Sequence, residues 1–163
     1  ARWLFDLPGE QIDVVVHRES IVHSLVEYVD HSVIAQLGVP DMRIPIQYAL
    51  TYPRRYPSPV AELDLWEQGN LTFYPPDLET FSCLRVCIDA LKRGGLAPAA
   101  ANGANEAAVA LFLQEKIGFL EIGELVEAAV KNQPDAPADS LEAVLEADRR
   151  AREYVSNSLG TRR

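Results

Sequence analysis

The sequence predicts an α+β fold: a short sheet segment with a hairpin, a proline-rich linker, then a four-helix carboxy-terminal bundle. Three observations carry this. Before residue 52 the apolar residues alternate or run in short β-branched blocks, the pattern of strands. Between 52 and 77 lie five of the eleven prolines, Pro53, Pro57, Pro59, Pro75 and Pro76, and residues without a backbone N–H interrupt any regular ladder. Beyond 77 the apolar spacing becomes three and four, which lines one face of a helix. The chain therefore divides on composition into 1–51, a linker at 52–77, and a helical domain at 78–163.

The elements follow in order. Residues 1–5 (ARWLF) read as a short helical end. Residues 12–17 (IDVVVH) are β-branched and short enough for a buried strand. From 21 to 28 the residues alternate, predicting Ile21, His23 and Leu25 on one face of a strand and Val22, Ser24, Val26 and Tyr28 on the other. A second strand runs from 33 to 37, with Asp30, His31 and Ser32 as the hairpin turn. A tight two-residue turn needs positive φ, which His31 supplies less readily than glycine, so the loop is expected to be longer. Pro45 belongs near the start of a short helix through Gln47 and Leu50, where its missing N–H costs little. Leu63, Leu65, Trp66, Leu71, Thr72 and Phe73 are expected to pin the linker down.

Four helices fill the remainder. Asp77 is a capping residue for the first, with Phe81, Leu84, Ile88 and Leu91 on its buried face and Gly94-Gly95 ending it. Asn102 or Asn105 starts the second, which turns Val109, Phe112 and Leu113 inward and stops at Gly118. The third spans 119–130 and ends before Pro134. Asp139 with Glu142 resembles a capping box for the fourth, whose stripe is Leu141, Val144, Leu145, Ala151 and Val155. Glu121, Glu124 and Glu127 read as a solvated helix face, and Asp148 is spaced to pair with Arg152.

Bulk properties narrow the function classes. With 163 residues, 48% of them apolar, the chain can fill a core. A net charge of −9 and a pI near 4.8 argue against nucleic acid as a partner, because phosphate binding needs clustered Lys and Arg. No apolar run approaches the roughly 20 residues that span a bilayer, and the first residues lack a signal-peptide pattern. No membrane partner is predicted, and cytoplasmic residence is the expectation. Cys83 and Cys87 sit side by side on one helix face, a poor geometry for a disulfide, and are expected to be buried thiols. The absence of an initiator Met, with Trp3-Leu4-Phe5 arriving at once, reads as an excised or truncated portion of a longer protein.

Four stretches together resemble the carboxy-terminal part of 1-deoxy-D-xylulose 5-phosphate reductoisomerase. They are 1–5 (ARWLF), 17–43 (HRESIVHSLVEYVDHSVIAQLGVPDMR), 102–106 (NGANE) and the Asp148-x-x-Ala151-Arg152 spacing. The chain departs from the family pattern locally. His17-Arg18-Glu19-Ser20 stands where the family often has His-Pro-Gln-Ser, Asp30-His31 where it has Asp-Gly, and Gly103 where it has Ala.

The resemblance implies that residues 1–51 end a catalytic α+β domain. It implies an enzyme that rearranges 1-deoxy-D-xylulose 5-phosphate on Mg²⁺ or Mn²⁺ and reduces the product with NADPH to 2-C-methyl-D-erythritol 4-phosphate, in non-mevalonate isoprenoid biosynthesis. The family's nucleotide fingerprint, metal carboxylates and phosphate-binding segment lie upstream of the stretch matched here. The expected partners are thus the phosphosugar, the amino-terminal portion of the same enzyme and a second copy in a homodimer. The isolated chain is expected to be inactive and to bind neither NADPH nor the metal tightly.

Within the matched stretch, His23 corresponds to a histidine beside the substrate and its phosphate, making it the candidate catalytic and substrate-binding residue; by spacing alone it is a strand histidine bonded to a neighbour. Ser20 either offers its hydroxyl to the same substrate or caps the turn. Pro40 and Met42 correspond to loop residues that pack on the nicotinamide ring, the candidate cofactor-binding pair; the alternative is a purely structural turn. No metal ligand is assigned, His17 and His31 lacking a third ligand at metal spacing. Asn102 and Asn105 are read as caps. A functional alternative of another class is a stand-alone, non-catalytic binding or scaffolding module with the same fold.

Overall fold

The structure is a computed structural model that describes residues 1–158. In chain order it contains α1 (Arg2–Phe5), a 3₁₀ turn (Gly9–Gln11), β1 (Val22–Glu27), β2 (Val33–Leu37), α2 (Arg43–Thr51), α3 (Leu65–Gln68), α4 (Ser82–Arg93), α5 (Ala97–Leu113), α6 (Glu121–Asn132) and α7 (Leu141–Ser158). This is the α+β class that the sequence predicts. The chain forms two compact units, one of residues 14–76 and one that joins 1–13 to 77–163. Linker residues 52–76 thus lie in the hairpin's unit and Asp77 in the other.

In the first unit β1 and β2 pair antiparallel, and Tyr28 to Ser32 connect them. His31 takes φ 66°, while Asp30 Oδ1 accepts from the Ser32 N–H at 3.0 Å and its hydroxyl at 2.6 Å. The loop is longer than two residues because this Asp-anchored turn supplies the reversal. The predicted strand at 12–17 does not form. One bridge, Val16 to Tyr74, replaces it, because among the described residues that segment finds no neighbouring strand along its length, and β-branching alone does not make a ladder. α2 forms as expected with Pro45 in its first turn. The linker is pinned through Thr72 and Phe73. Leu65 and Trp66 do not help: they sit on α3, capped by Asp64, and Trp66 is 95% exposed.

The second unit is the predicted helical bundle, with α5 central between α7, α6 and α4. Its core is built on small residues. Ala97, Ala100, Ala101, Gly103, Ala104 and Ala108 of α5 are buried, so neighbouring helices approach closely. A Cβ on Gly103 would lie 2.6 Å from Asp148 Oδ1 and 2.7 Å from the Asp148 carbonyl. Larger side chains complete the packing: Val86 from α4, Leu125, Val126 and Val130 from α6, and Val155 from α7. Burying each such side chain contributes about 1.5–3 kcal/mol.

Several faces and starts differ from the sequence reading. On α4 the buried residues are Val86 and Ala90, whereas Phe81 is 53% exposed; Leu91 instead meets Gly9 of the 3₁₀ turn. α5 starts at Ala97 with Pro98 in its first turn, not at Asn102 or Asn105, because proline's fixed φ suits that position without any side-chain cap. Leu113 is 75% exposed. α7 is capped by Ser140, whose Oγ accepts from the Ala143 N–H at 3.2 Å, and not by Asp139. Its stripe runs through Ala147, Ala151 and Val155, leaving Leu141 and Leu145 exposed. Cys83 packs on the core, where burial pushes its thiol up, while Cys87 is exposed. Glu127 is more than a solvated acid: it pairs with Arg85 at 3.2 Å and Lys131 at 2.8 Å, tying α4 to α6.

Both ends of α4 and α6 are finished by specific contacts. Arg93 donates to the Val130 carbonyl at 2.8 Å and the Gln133 carbonyl at 2.5 Å, and pairs with Asp135. It thereby satisfies carbonyls that a helix C-terminus leaves open. Phe119 makes edge contacts with Phe81 and Phe112 at 6.2 and 5.7 Å between centroids. Among the described residues no helix is long and apolar enough to cross a membrane.

Candidate functional site

The four candidate residues lie within the hairpin unit. Residues 17–20 form a turn in which the Ser20 N–H donates to the His17 carbonyl at 3.3 Å. Ser20 takes φ 53° and is exposed. Ile21, next in line, is 4% exposed and is the one buried residue of the unit.

His23 occupies an irregular position that alternation does not anticipate. Val22 pairs with Leu37 and Ser24 with Gln36, so β1 carries one residue more than β2 at this point. That residue is His23. A bulge re-aims the side chain at the extra position and breaks strict two-residue alternation. Ile21, His23 and Leu25 therefore do not form the single face expected of them; Leu25 is 45% exposed while Ile21 is buried.

The bulge is fastened to the following loop by two hydrogen bonds. The Gly38 N–H donates to the Ile21 carbonyl at 3.0 Å, and His23 Nε2 lies 3.1 Å from the Gly38 carbonyl oxygen. A carbonyl oxygen only accepts, so Nε2 carries the hydrogen and Nδ1 is left for another partner.

Residues 39–43 then turn sharply into α2. The Asp41 N–H donates to the Val39 carbonyl at 2.8 Å around Pro40. The Asp41 carboxylate accepts from the Arg43 N–H at 2.9 Å and from its guanidinium Nη2 at 2.6 Å. These bonds to Arg43 hold the Asp41 carboxyl down at about 2. The loop is thus locked with Pro40 exposed and Met42 69% exposed, an apolar ledge at the mouth of α2. The fold accordingly puts Ser20 and His23 on either side of the buried Ile21 and ties the loop of Pro40 and Met42 to His23 at its root.

One residue read as bland in the sequence is central to this geometry. The His17 side chain is 5% exposed, stacks on Phe73 at 4.7 Å between centroids, and accepts the Ile21 N–H on Nε2 at 3.1 Å. Its Nδ1 donates toward the Thr72 carbonyl at 2.8 Å, with Glu19 Oε2 at 3.0 Å. The Thr72 hydroxyl donates to Glu19 Oε1 at 2.6 Å and holds the Glu19 carboxyl below its ordinary range. No local spacing reveals this, because Thr72 is 55 residues from His17. His31, by contrast, meets Glu27 at 3.0 Å on the exposed turn. Among the described residues no three His, Cys, Asp or Glu side chains converge as a metal-binding group. Two shallow depressions, beside α2 and around residues 93–97, contain none of the four candidates.

The family model for the DXP reductoisomerase C-terminal domain matches residues 37–154. The chain belongs to the 1-deoxy-D-xylulose 5-phosphate reductoisomerase family. It is 53% identical over 159 residues to 1-deoxy-D-xylulose 5-phosphate reductoisomerase 1 of Bacillus thuringiensis subsp. konkukian (strain 97-27), covering 98% of this chain and 41% of that relative. The identity to reductoisomerase 1 of Bacillus anthracis is 52%, with the same coverage. Among solved structures, the reductoisomerase from Zymomonas mobilis in complex with NADPH superposes with a TM-score of 0.88 at 42% identity, covering 98% of this chain and 42% of that one. A reductoisomerase in complex with NADPH, fosmidomycin and magnesium gives 0.90 at 43% identity, covering 98% of this chain and 41% of that one. The chain therefore spans about two-fifths of the length of the reductoisomerases it matches.

Proposed function

We propose that this chain acts as the carboxy-terminal portion of a reductoisomerase that converts 1-deoxy-D-xylulose 5-phosphate to 2-C-methyl-D-erythritol 4-phosphate, working with an amino-terminal portion. The observation that carries this is near-complete similarity, 98% of the chain at 53% identity, to a protein named for that reaction. Solved relatives that contain NADPH and magnesium support the same cofactors for the complete enzyme. On this reading the domain division at 1–51, 52–77 and 78–163 separates the end of a catalytic domain, a linker and a helical domain. Cytoplasmic residence and homodimer formation belong to the same proposal.

When bound, NADPH supplies a hydride and the divalent ion polarises the hydroxy-ketone. The residues of this chain bind and orient. His23, with Nε2–H held on the Gly38 carbonyl, offers Nδ1 to the substrate: it accepts from a hydroxyl when the ring is neutral and donates to a phosphate oxygen when the ring is protonated. Ser20 offers its exposed hydroxyl from the same turn. Pro40 and Met42 give the nicotinamide ring a flat apolar support on a loop braced by the Asp41 to Arg43 ion pair. On this reading the metal's carboxylates belong to the amino-terminal portion, upstream of the stretch matched here.

It follows that the isolated chain turns nothing over, since groups that act as a unit are not replaced by one remaining wall of a site. The test follows NADPH oxidation with 1-deoxy-D-xylulose 5-phosphate and Mg²⁺ for the chain, for the amino-terminal portion of a close relative, and for both mixed. Activity only in the mixture is the expected result. Ordinary turnover by this chain alone, or none in a mixture shown to associate, overturns the reading.

A further inference from the structure

We propose that His17 is a positioning residue for the substrate wall, acting through the backbone of Ile21 on Ser20 and His23. This rests on the reading of those two residues given above. His17 is a nearly buried polar side chain with both ring nitrogens engaged: Nε2 accepts the Ile21 N–H at 3.1 Å, and Nδ1 donates toward the Thr72 carbonyl at 2.8 Å. Ile21 is therefore gripped at both ends of its backbone, because its carbonyl accepts the Gly38 N–H at 3.0 Å. Gly38 in turn presents its own carbonyl to His23 Nε2 at 3.1 Å. An unbroken series of bonds thus runs from the linker at Thr72, through His17, Ile21 and Gly38, to the His23 ring.

The grip matters because the segment it holds is irregular. Ser20 has φ 53°, a conformation that a non-glycine residue keeps only when its surroundings impose it. His23 is the extra residue of a bulge. Neither geometry is secured by a regular ladder, and Ile21 between them is the unit's one buried residue. Fixing the Ile21 N–H against a ring that is itself stacked on Phe73 and flanked by Glu19 sets where the Ser20 hydroxyl and the His23 ring stand. Misplacing such groups by about 1 Å costs on the order of 100-fold in rate.

Two near-isosteric variants separate this role from simple packing. His17→Gln places a carbonyl near Nε2, where it still accepts the Ile21 N–H. His17→Asn places an amide near Nδ1, which keeps the donor toward Thr72 and loses the acceptor for Ile21. Each is combined with the amino-terminal portion of a reductoisomerase, kcat and KM for the phosphosugar are measured, and hydrogen exchange of the Ile21 amide is followed in the chain alone. His17→Gln should stay within about threefold of native kcat/KM, whereas His17→Asn should lose about 10–100-fold and expose the Ile21 amide to exchange. The proposal is overturned by equal activities in the two variants, by the reverse order, or by an Ile21 amide equally protected in both. If the native chain does not complement, the functional reading fails instead, and the exchange data still decide whether His17 holds Ile21.

Discussion

Arg152 of α7 donates to Glu106 of α5 at 2.5 Å while its Nε bonds Asp148 on its own helix at 2.7 Å. Asn102 donates to the same Glu106 at 3.3 Å, and Gly103 supplies the close approach to Asp148. The two stretches of the helical domain that resemble the reductoisomerases, 102–106 and 148–152, are therefore partners in space, and what they build is the contact between α5 and α7. Hydrogen bonds from Arg152 hold the Glu106 carboxyl below its ordinary range, and the two acids raise Arg152. Replacing Arg152 with Lys gives up the planar fork that reaches both acids. Thermal unfolding followed by circular dichroism should show a lower midpoint for Arg152→Lys and a lower one still for Arg152→Ala, while Arg150→Ala, which removes a pair with Glu146 within one helix, should change less.

Gly95 is the second fixed point of the bundle. It takes φ 53°, and a Cβ there would lie 2.2 Å from the Ala136 carbonyl, the oxygen that accepts the Leu96 N–H at 3.1 Å. Backbone cannot rotate away as a side chain does. Gly95→Ala should destabilise the protein by about 1–3 kcal/mol in urea unfolding, through overpacking and an unfavourable φ together. A variant as stable as the native chain would contradict this geometry.

The hairpin leaves apolar surface and unpaired edges. Among the described residues the sheet has only β1 and β2, and Val26, Val33 and Ile34 are 54%, 53% and 62% exposed. Exposed strand edges template pairing with another chain. Sedimentation of the isolated chain should show association that increases with concentration and is reduced by Ile34→Lys. A monomer at every concentration would sink the prediction.

Acid should destabilise the chain below the ordinary carboxylate range. Bonds to Arg149 and Arg150 hold the Glu146 carboxyl down from 4.5 to about 2, those to Arg43 bring Asp41 from 3.8 to about 2, and those to Lys131 and Arg85 lower Glu127. A carboxylate depressed by folding contributes stability that is complete above its unfolded value and is lost as pH falls through its folded value. Stability should therefore be level above pH 4.5 and fall between 4.5 and about 2. Replacing both Arg149 and Arg150 with Gln removes the bonds that depress Glu146, so the variant should be less stable than the native chain above pH 4.5 and the gap should narrow as pH falls towards 2, read by urea unfolding at each pH.

The sequence carried the hairpin, the bundle and the motif residues, because periodicity and turn chemistry are local. It did not carry what depends on distant partners. The strand expected at 12–17 needed neighbours that local pattern cannot supply, and alternation gave no sign that His23 is the extra residue of a bulge, since register is set between strands. Asn102 and Asn105 looked like caps by residue type, but Pro98 had already started the helix. Local spacing does not reveal the role of His17, because Thr72 and Phe73, which define its surroundings, lie more than fifty residues along the chain.

On the proposed function, residues 20–42 form a wall of a reductoisomerase site with His23 at its focus. The most direct measurement is kcat/KM for 1-deoxy-D-xylulose 5-phosphate in the enzyme reconstituted from the amino-terminal portion and this chain, native against His23→Ala. Loss of a hydrogen bond to a charged phosphate or a reacting hydroxyl should lower it by about 10–100-fold, with fold and association unchanged. A reconstituted enzyme equally active with and without the His23 imidazole would contradict the account.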